Sequence, residues 1–210
     1  SAPSHLCVLD TNLISMTPVN VLSVPVAECC HDVCLLTVDN SNNCYAAFAR
    51  GNPPPAYGNV MVKCPANTLA PTAYIVPDNY TFQECASIVN VHLAGSAEVN
   101  GMNGMAASSR YLYTYDGKLI QRWNKNTGVL INSATISPTS GWWGGLAVDD
   151  CDNIFAGVQS SIVRYDTNFT AISTIVTPNT VYDVRLAPGN LLYACGINFV
   201  SSYTVTGTSV

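Results

Sequence analysis

Apolar and polar residues alternate along this chain in short runs, and the runs come in pairs. VCLLTVDNSNNCYAAF at 33–48 is apolar, then polar over Asp39–Asn43, then apolar again. LAVDDCDNIFAGV at 146–158 repeats the shape around the acidic knot Asp149-Asp150-Cys151-Asp152-Asn153. MAASSRYLYTY at 105–115 repeats it with a shorter turn, and VRLAPGNLLYAC at 184–195 with Pro188-Gly189-Asn190 as the turn. Runs of this length, bounded by Gly, Asn, Asp and Pro, predict strand–turn–strand units. No stretch places apolar residues at i, i+3, i+4 and i+7 between caps, so no helix is predicted.

A second pattern follows each pair. It reads VMVKCPANTLAPTAYIVP at 60–77, LIQRWNKNTGVLINSATISP at 119–138 and SIVRYDTNFTAISTIVTP at 161–178. A basic residue recurs in it as Lys63, Arg122 and Arg164. HLCVLDTNLISMTP at 5–18 is a further copy, and FVSSYTVTG at 199–207 begins another. Equivalent positions are spaced by 146 − 105 = 41 and 184 − 146 = 38 residues. A period of about 40 residues with four short strands per unit is the spacing of a β-propeller blade.

The predicted fold is therefore all-β, a propeller of about four to five blades of about 40–55 residues each. It would form one domain over 1–210, with a half-blade at 1–27 and successive blades at 28–85, 86–136, 137–178 and 179–210. The half-blade would close the ring by completing the last blade, removing two open edges, or the chain would belong to a larger propeller. Leu146, Val148, Ile154, Val184, Leu186 and Leu192 should pack between blades. Tyr45, Tyr113, Phe155 and Tyr193 share one position of the repeat and should be core. The acidic knot stands where other copies hold Asn40-Ser41-Asn42 or Pro-Gly-Asn, which turn chemistry tolerates. A calcium loop or a catalytic carboxylate cluster would not tolerate that variation, and the D-x-D-x-D-G pattern with a distal Glu is missing.

Composition narrows the function. Charged residues are only 10% and the net charge is −5, which argues against a nucleic-acid partner. No run of 18 apolar residues is present, so no membrane span is predicted. Nine cysteines are a high count and point to a secreted protein with some disulfides. Their connectivity cannot be read from spacing; Cys64–Cys85 is the pairing that would bracket a strand hairpin.

The series apolar-x-Val-Asp-x-x-x-Asn-x-Tyr/Phe followed by Val-x-Arg-Tyr-Asp resembles NHL-type propeller repeats of bacteria. TFQE at 81–84, NGMNGMAASSRYLYTYDGKLIQRWNKNTGVLI at 100–131, GGLAVDDCDNIFAGVQSSIVRYD at 144–166 and VYDVRLAPGNLLYACGINFV at 181–200 resemble the propeller-like region of large secreted surface proteins of Bacteroidetes. These include gliding-motility-associated adhesins of the SprB type. The resemblance covers about residues 30–205. It implies type IX secretion, display on the bacterial cell surface, a place in a longer chain, and no enzyme activity.

Nucleophile elbows, zinc helices, P-loops and dinucleotide fingerprints are missing from the sequence, and His5, His31 and His92 stand apart. No cofactor or metal is expected. Trp142-Trp143, flanked by Gly141, Gly144 and Gly145, is the foremost contact candidate, because rings held by glycines can stack on sugars or anchor a partner. Tyr57, after Pro53-Pro54-Pro55, is the second. The reading is a non-catalytic extracellular propeller module serving adhesion, filament structure or presentation of a binding face. Its partners would be other segments of a larger surface protein, neighbouring copies, or glycans. A carbohydrate-binding lectin-like propeller is the alternative, and a propeller hydrolase or lyase the second alternative.

Overall fold

The computed structural model describes residues 5–9, 16–20, 32–49, 59–64, 72–74, 104–138, 140 and 144–205. These residues hold strands and no helix, and so no helix long and apolar enough to cross a membrane. β1 (His5–Leu9) and β2 (Met16–Asn20) pair with each other. β3 (Asp32–Val38), β4 (Cys44–Ala49), β5 (Asn59–Cys64) and β6 (Thr72–Tyr74) make the first four-stranded sheet. β7 (Gly104–Ala107), β8 (Tyr111–Tyr115), β9 (Leu119–Asn124) and β10 (Leu130–Thr135) make the second. β11 (Leu146–Val148), β12 (Ile154–Val158), β13 (Ser161–Tyr165) and β14 (Ala171–Val176) make the third. β15 (Val181–Ala187), β16 (Leu191–Gly196) and β17 (Phe199–Thr204) make the fourth, which has three strands.

Every sheet is an antiparallel meander, so each hydrophobic pair read from the sequence is the first hairpin of a blade. β3 lies beside β7, β7 beside β11, and β11 beside β15. The first strands thus stand side by side, and the blades follow one another as a propeller. The N-terminal copy at 5–18 is present as the β1–β2 hairpin. Among the described residues β1 pairs with β2, and β17 has no fourth strand beside it.

Strand alternation sets the core. In β12 all five residues are buried, because a blade has a neighbour on each face. Ile154, Ala156 and Val158 pack with Leu146, Tyr165, Tyr113 and Tyr115, the interface with the preceding blade. Phe155 packs with Ala147, Ile162, Val184 and Leu192, the interface with the following blade. Val148 and Leu186, expected in this packing, are half-buried and lie against these clusters. Tyr45, Tyr113 and Phe155 are buried as expected, but Tyr193 is 44% exposed. The repeat position aims at the following blade, and the last sheet has none among the described residues. The converse holds for the first sheet, where Leu36 and Val38 are 45% and 52% exposed on the face that a preceding blade would cover.

Trp123 is one of the largest buried side chains, and its indole N–H donates to Thr114 Oγ1 at 3.0 Å. Trp123→Phe keeps most of the packing and loses that bond. The expected cost is about 1 kcal/mol, read from the urea midpoint; a cost above 3 kcal/mol would mean the indole volume, not the bond, is what the site requires.

Candidate functional site

The turns at one end of the blades share a construction. Asp39 Oδ1 accepts from the backbone N–H of Ser41 at 2.9 Å and of Asn43 at 3.0 Å, while Asn42 takes a left-handed φ of 61°. Asp149 repeats this with Cys151 and Asn153, and Asp152 has φ 62°. Asp166 repeats it with Asn168 and Thr170, and Phe169 has φ 62°. A short carboxylate bonding its own backbone two residues on is the mechanism that favours Asp at such turns. The acidic knot is accordingly a hairpin turn.

The remaining carboxylate oxygens tie turns to neighbouring strands and blades. Asp39 Oδ2 accepts from Tyr45 Oη at 3.0 Å and from Lys125 Nζ at 2.7 Å, and Lys125 also donates to the Ser108 carbonyl at 2.9 Å. Burial alone would raise the Asp39 pKa, but the bonds from Lys125, Asn43 and Ser41 reverse that and hold it at about 2. Asp149 Oδ2 pairs with the Arg164 guanidinium at 3.3 Å, which also sits 5.2 Å from the centre of the Phe155 ring. Asp152 is bound by Arg110 and by Tyr113 Oη, both from the second blade. Burial first, and the Asp152 charge second, push the Tyr113 phenol above its ordinary value, keeping it a donor. Asp150 Oδ1 accepts from Asn40 Nδ2 at 3.0 Å, joining the turns of the first and third blades.

The basic residues of the repeat fall opposite its aromatic residues. Lys63 is the register partner of Tyr45, Arg122 of Tyr113 and Arg164 of Phe155. In the last blade Ser202 stands opposite Tyr193, so the pattern lapses where the ring is exposed. Sequence reading caught the recurrence of Lys63, Arg122 and Arg164 but missed Lys125 and Arg110, whose partners lie 86 and 42 residues away. No local spacing signals pairs at that separation.

Above these turns lies a cavity of about 430 Å³. Asn40, Asp150, Asn153 and Asn190 give it polar groups, Arg164 lies at its wall, and Val148, Leu186 and Pro188 add an apolar side. A smaller space of about 170 Å³ runs between the first strands, lined by Thr37, Ala106, Leu146, Leu186 and Arg185. Among the described residues no three His, Cys, Asp or Glu side chains group to hold a metal ion. Of the expected contact residues, Trp142, Trp143 and Tyr57 lie outside the described residues, as does Cys85. Cys64 ends β5 and is the register partner of Cys44 in β4.

No family model matches the sequence, and no curated protein matches it. Solved structures do resemble it. The gluconolactonase XC5397 of Xanthomonas campestris aligns at a TM-score of 0.55 and 13% identity, over 90% of this chain and 61% of that one. U3-55K aligns at 0.57 and 14% identity, over 83% of this chain and 50% of that one. The WD40 repeats of RRP9 align at 0.52 and 14% identity, over 79% of this chain and 46% of that one. This chain therefore spans about half to three-fifths of the length of these three structures. At these identities the likeness carries the fold and no activity, and with the blade topology it makes this chain a β-propeller.

Proposed function

We propose that the chain is a non-catalytic propeller module of a secreted bacterial surface protein, presenting a binding face to a partner outside the cell. The observation that supports this best is the engagement of the turn carboxylates. Asp39, Asp149 and Asp152 hold their own turns or brace neighbouring strands and blades through Lys125, Arg164, Arg110 and Tyr113. Of the carboxylates that line the cavity, Asp149 is held by its own turn and by Arg164, and Asp150 accepts from Asn40, so no pair of them is left to act together as general acid and base. The resemblance of about residues 30–205 to secreted Bacteroidetes surface proteins supports the location and the adhesive or filament role. The glycan-binding reading draws on the cavity itself, where Asn40, Asp150 and Asn190 face an apolar side made by Val148, Leu186 and Pro188.

The test has two arms. Antibody raised to the purified chain should label intact cells of the producing organism, and protease treatment of those cells should remove the label; labelling only after lysis would refute surface display. The purified chain should leave gluconolactone and a panel of glycoside substrates unhydrolysed above buffer, with calcium or zinc added. Turnover that is lost in an Asp150→Asn variant would make it an enzyme. Binding of one glycan class on an array, lost in the same variant, would favour the lectin-like form of the module.

A further inference from the structure

We propose that Cys44 and Cys64 form a cross-strand disulfide that staples the second and third strands of the first blade. The two are direct register partners in the β4–β5 ladder. Opposed residues of antiparallel strands have Cα atoms about 4.5–5.5 Å apart, inside the range of roughly 4.4–6.8 Å that a disulfide spans. Cys44 is half-buried in this structure, a position that small oxidants and reductants can reach.

The other blades show what normally occupies this place. The same register position holds Leu112 opposite Trp123, Ile154 opposite Tyr165 and Leu192 opposite Tyr203. Leu112, Trp123, Ile154, Tyr165 and Leu192 are all buried. Three blades therefore join their middle strands with bulky apolar pairs, and those of the third and fourth blades pack on the blade before. The first blade alone puts two small cysteines there. It is also the blade whose face is uncovered at Leu36 and Val38, so an apolar pair would gain little from burial. A covalent bond needs no covering sheet.

The connection between the strands adds a second reason. β4 and β5 are joined by the nine residues 50–58, where the equivalent turns have three (116–118), two (159–160) and two (197–198). A two-residue turn fixes hairpin register by its own geometry, and a nine-residue one does not. A bond between Cys44 and Cys64 would fix it in the turn's place.

The oxidant is a low-molecular-weight disulfide such as oxidised glutathione. One cysteine thiolate attacks a sulfur of that disulfide and releases one glutathione thiolate. The other cysteine then displaces the second glutathione from the mixed disulfide. Two cysteine thiols become one disulfide while one glutathione disulfide becomes two thiols, and the two protons end on the glutathiones.

The experiment uses the whole chain, equilibrated with oxidised glutathione, blocked with an alkylating agent and digested without reduction. A cross-linked pair of peptides carrying Cys44 and Cys64 is expected. Cys64 linked to Cys85 or to any other cysteine, or both residues alkylated at the oxidising poise, overturns the proposal. This mapping needs no variant. A second readout is Cys44→Leu/Cys64→Trp, which installs the pair of the second blade. Its thermal midpoint should fall on reduction by about 5 °C less than that of the unaltered chain; an equal fall would place the reductant's effect on other disulfides.

Discussion

Lys125→Met lowers the unfolding free energy by about 3–5 kcal/mol, the cost of stranding one member of a buried ion pair. Lys125 and Asp39 side chains are 7% and 0% exposed, and their contact of 2.7 Å joins the second blade to the first. Removing the ammonium leaves Asp39 buried with its remaining bonds from Ser41, Asn43 and Tyr45, and leaves the Ser108 carbonyl without that donor. The pair Arg185–Asp183, at 3.0 Å but 49% and 39% exposed, sets the contrast. Arg185→Ala should cost under about 1 kcal/mol, because water screens it. The same pair predicts an acid limb. Asp39 is held at about 2 in the folded chain, below its ordinary value of 3.8. A depressed carboxylate contributes stability that is full above its unfolded pKa and is lost as pH falls through its folded one. The contribution is therefore present at pH 5 and fades between about pH 4 and pH 2. In Lys125→Met the limb should flatten, since the main charge partner is gone. Denaturant titrations at pH 7, 4 and 2.5 on both proteins check this. A loss below 1 kcal/mol at pH 7, or the same acid limb in both, would show that the pair is not what joins these blades.

Much of this architecture is legible in the sequence because it depends on local rules. Alternation marks strands, and Asp or Asn at the head of a run marks the turn that its own side chain makes, as at Asp39, Asp149 and Asp166. Repetition then identifies the first hairpin of each blade. What the sequence conceals depends on neighbours. Tyr193 occupies the position of Tyr113 and Phe155 and differs in facing Ser202 where they face an arginine; it is exposed because its sheet has no following blade among the described residues. Cys85, the partner that spacing suggests for Cys64, lies outside the described residues; within them the β4–β5 register sets Cys44 opposite Cys64, which spacing does not signal. Site reading is the hardest case. Trp142, Trp143 and Tyr57 lie outside the described residues, while the cavity is made by turn residues such as Asn40, Asp150 and Asn190, which look like ordinary turn chemistry one at a time.

Gly145→Ala should cost about 3 kcal/mol or more, combining a strained backbone with overpacking between blades. Gly145 leads into β11 with φ +67°, which side chains with a Cβ rarely adopt. A Cβ built there meets Asp183 Oδ1 at 2.2 Å, Val184 N at 2.5 Å and Asp183 Cα at 2.6 Å. The carboxylate could swing aside, at the expense of its 3.0 Å contact with Arg185. The backbone atoms cannot move without shifting β15, and Val184 is fully buried in the interface that joins the third and fourth blades. Gly104 has the same role one blade earlier, where a Cβ would meet Leu146 N at 2.5 Å. Gly189 separates the two contributions. Its φ is +82° but nothing lies within 4 Å, so Gly189→Ala carries only the backbone penalty, about 1 kcal/mol. The difference between the two variants, measured by urea unfolding under one buffer, reads the close approach of adjacent blades directly. If Gly145→Ala and Gly189→Ala cost the same, the first strands do not meet as tightly as this structure places them, and the blades would be held by the Asp39–Lys125 and Asp152–Arg110 braces rather than by contact of their backbones.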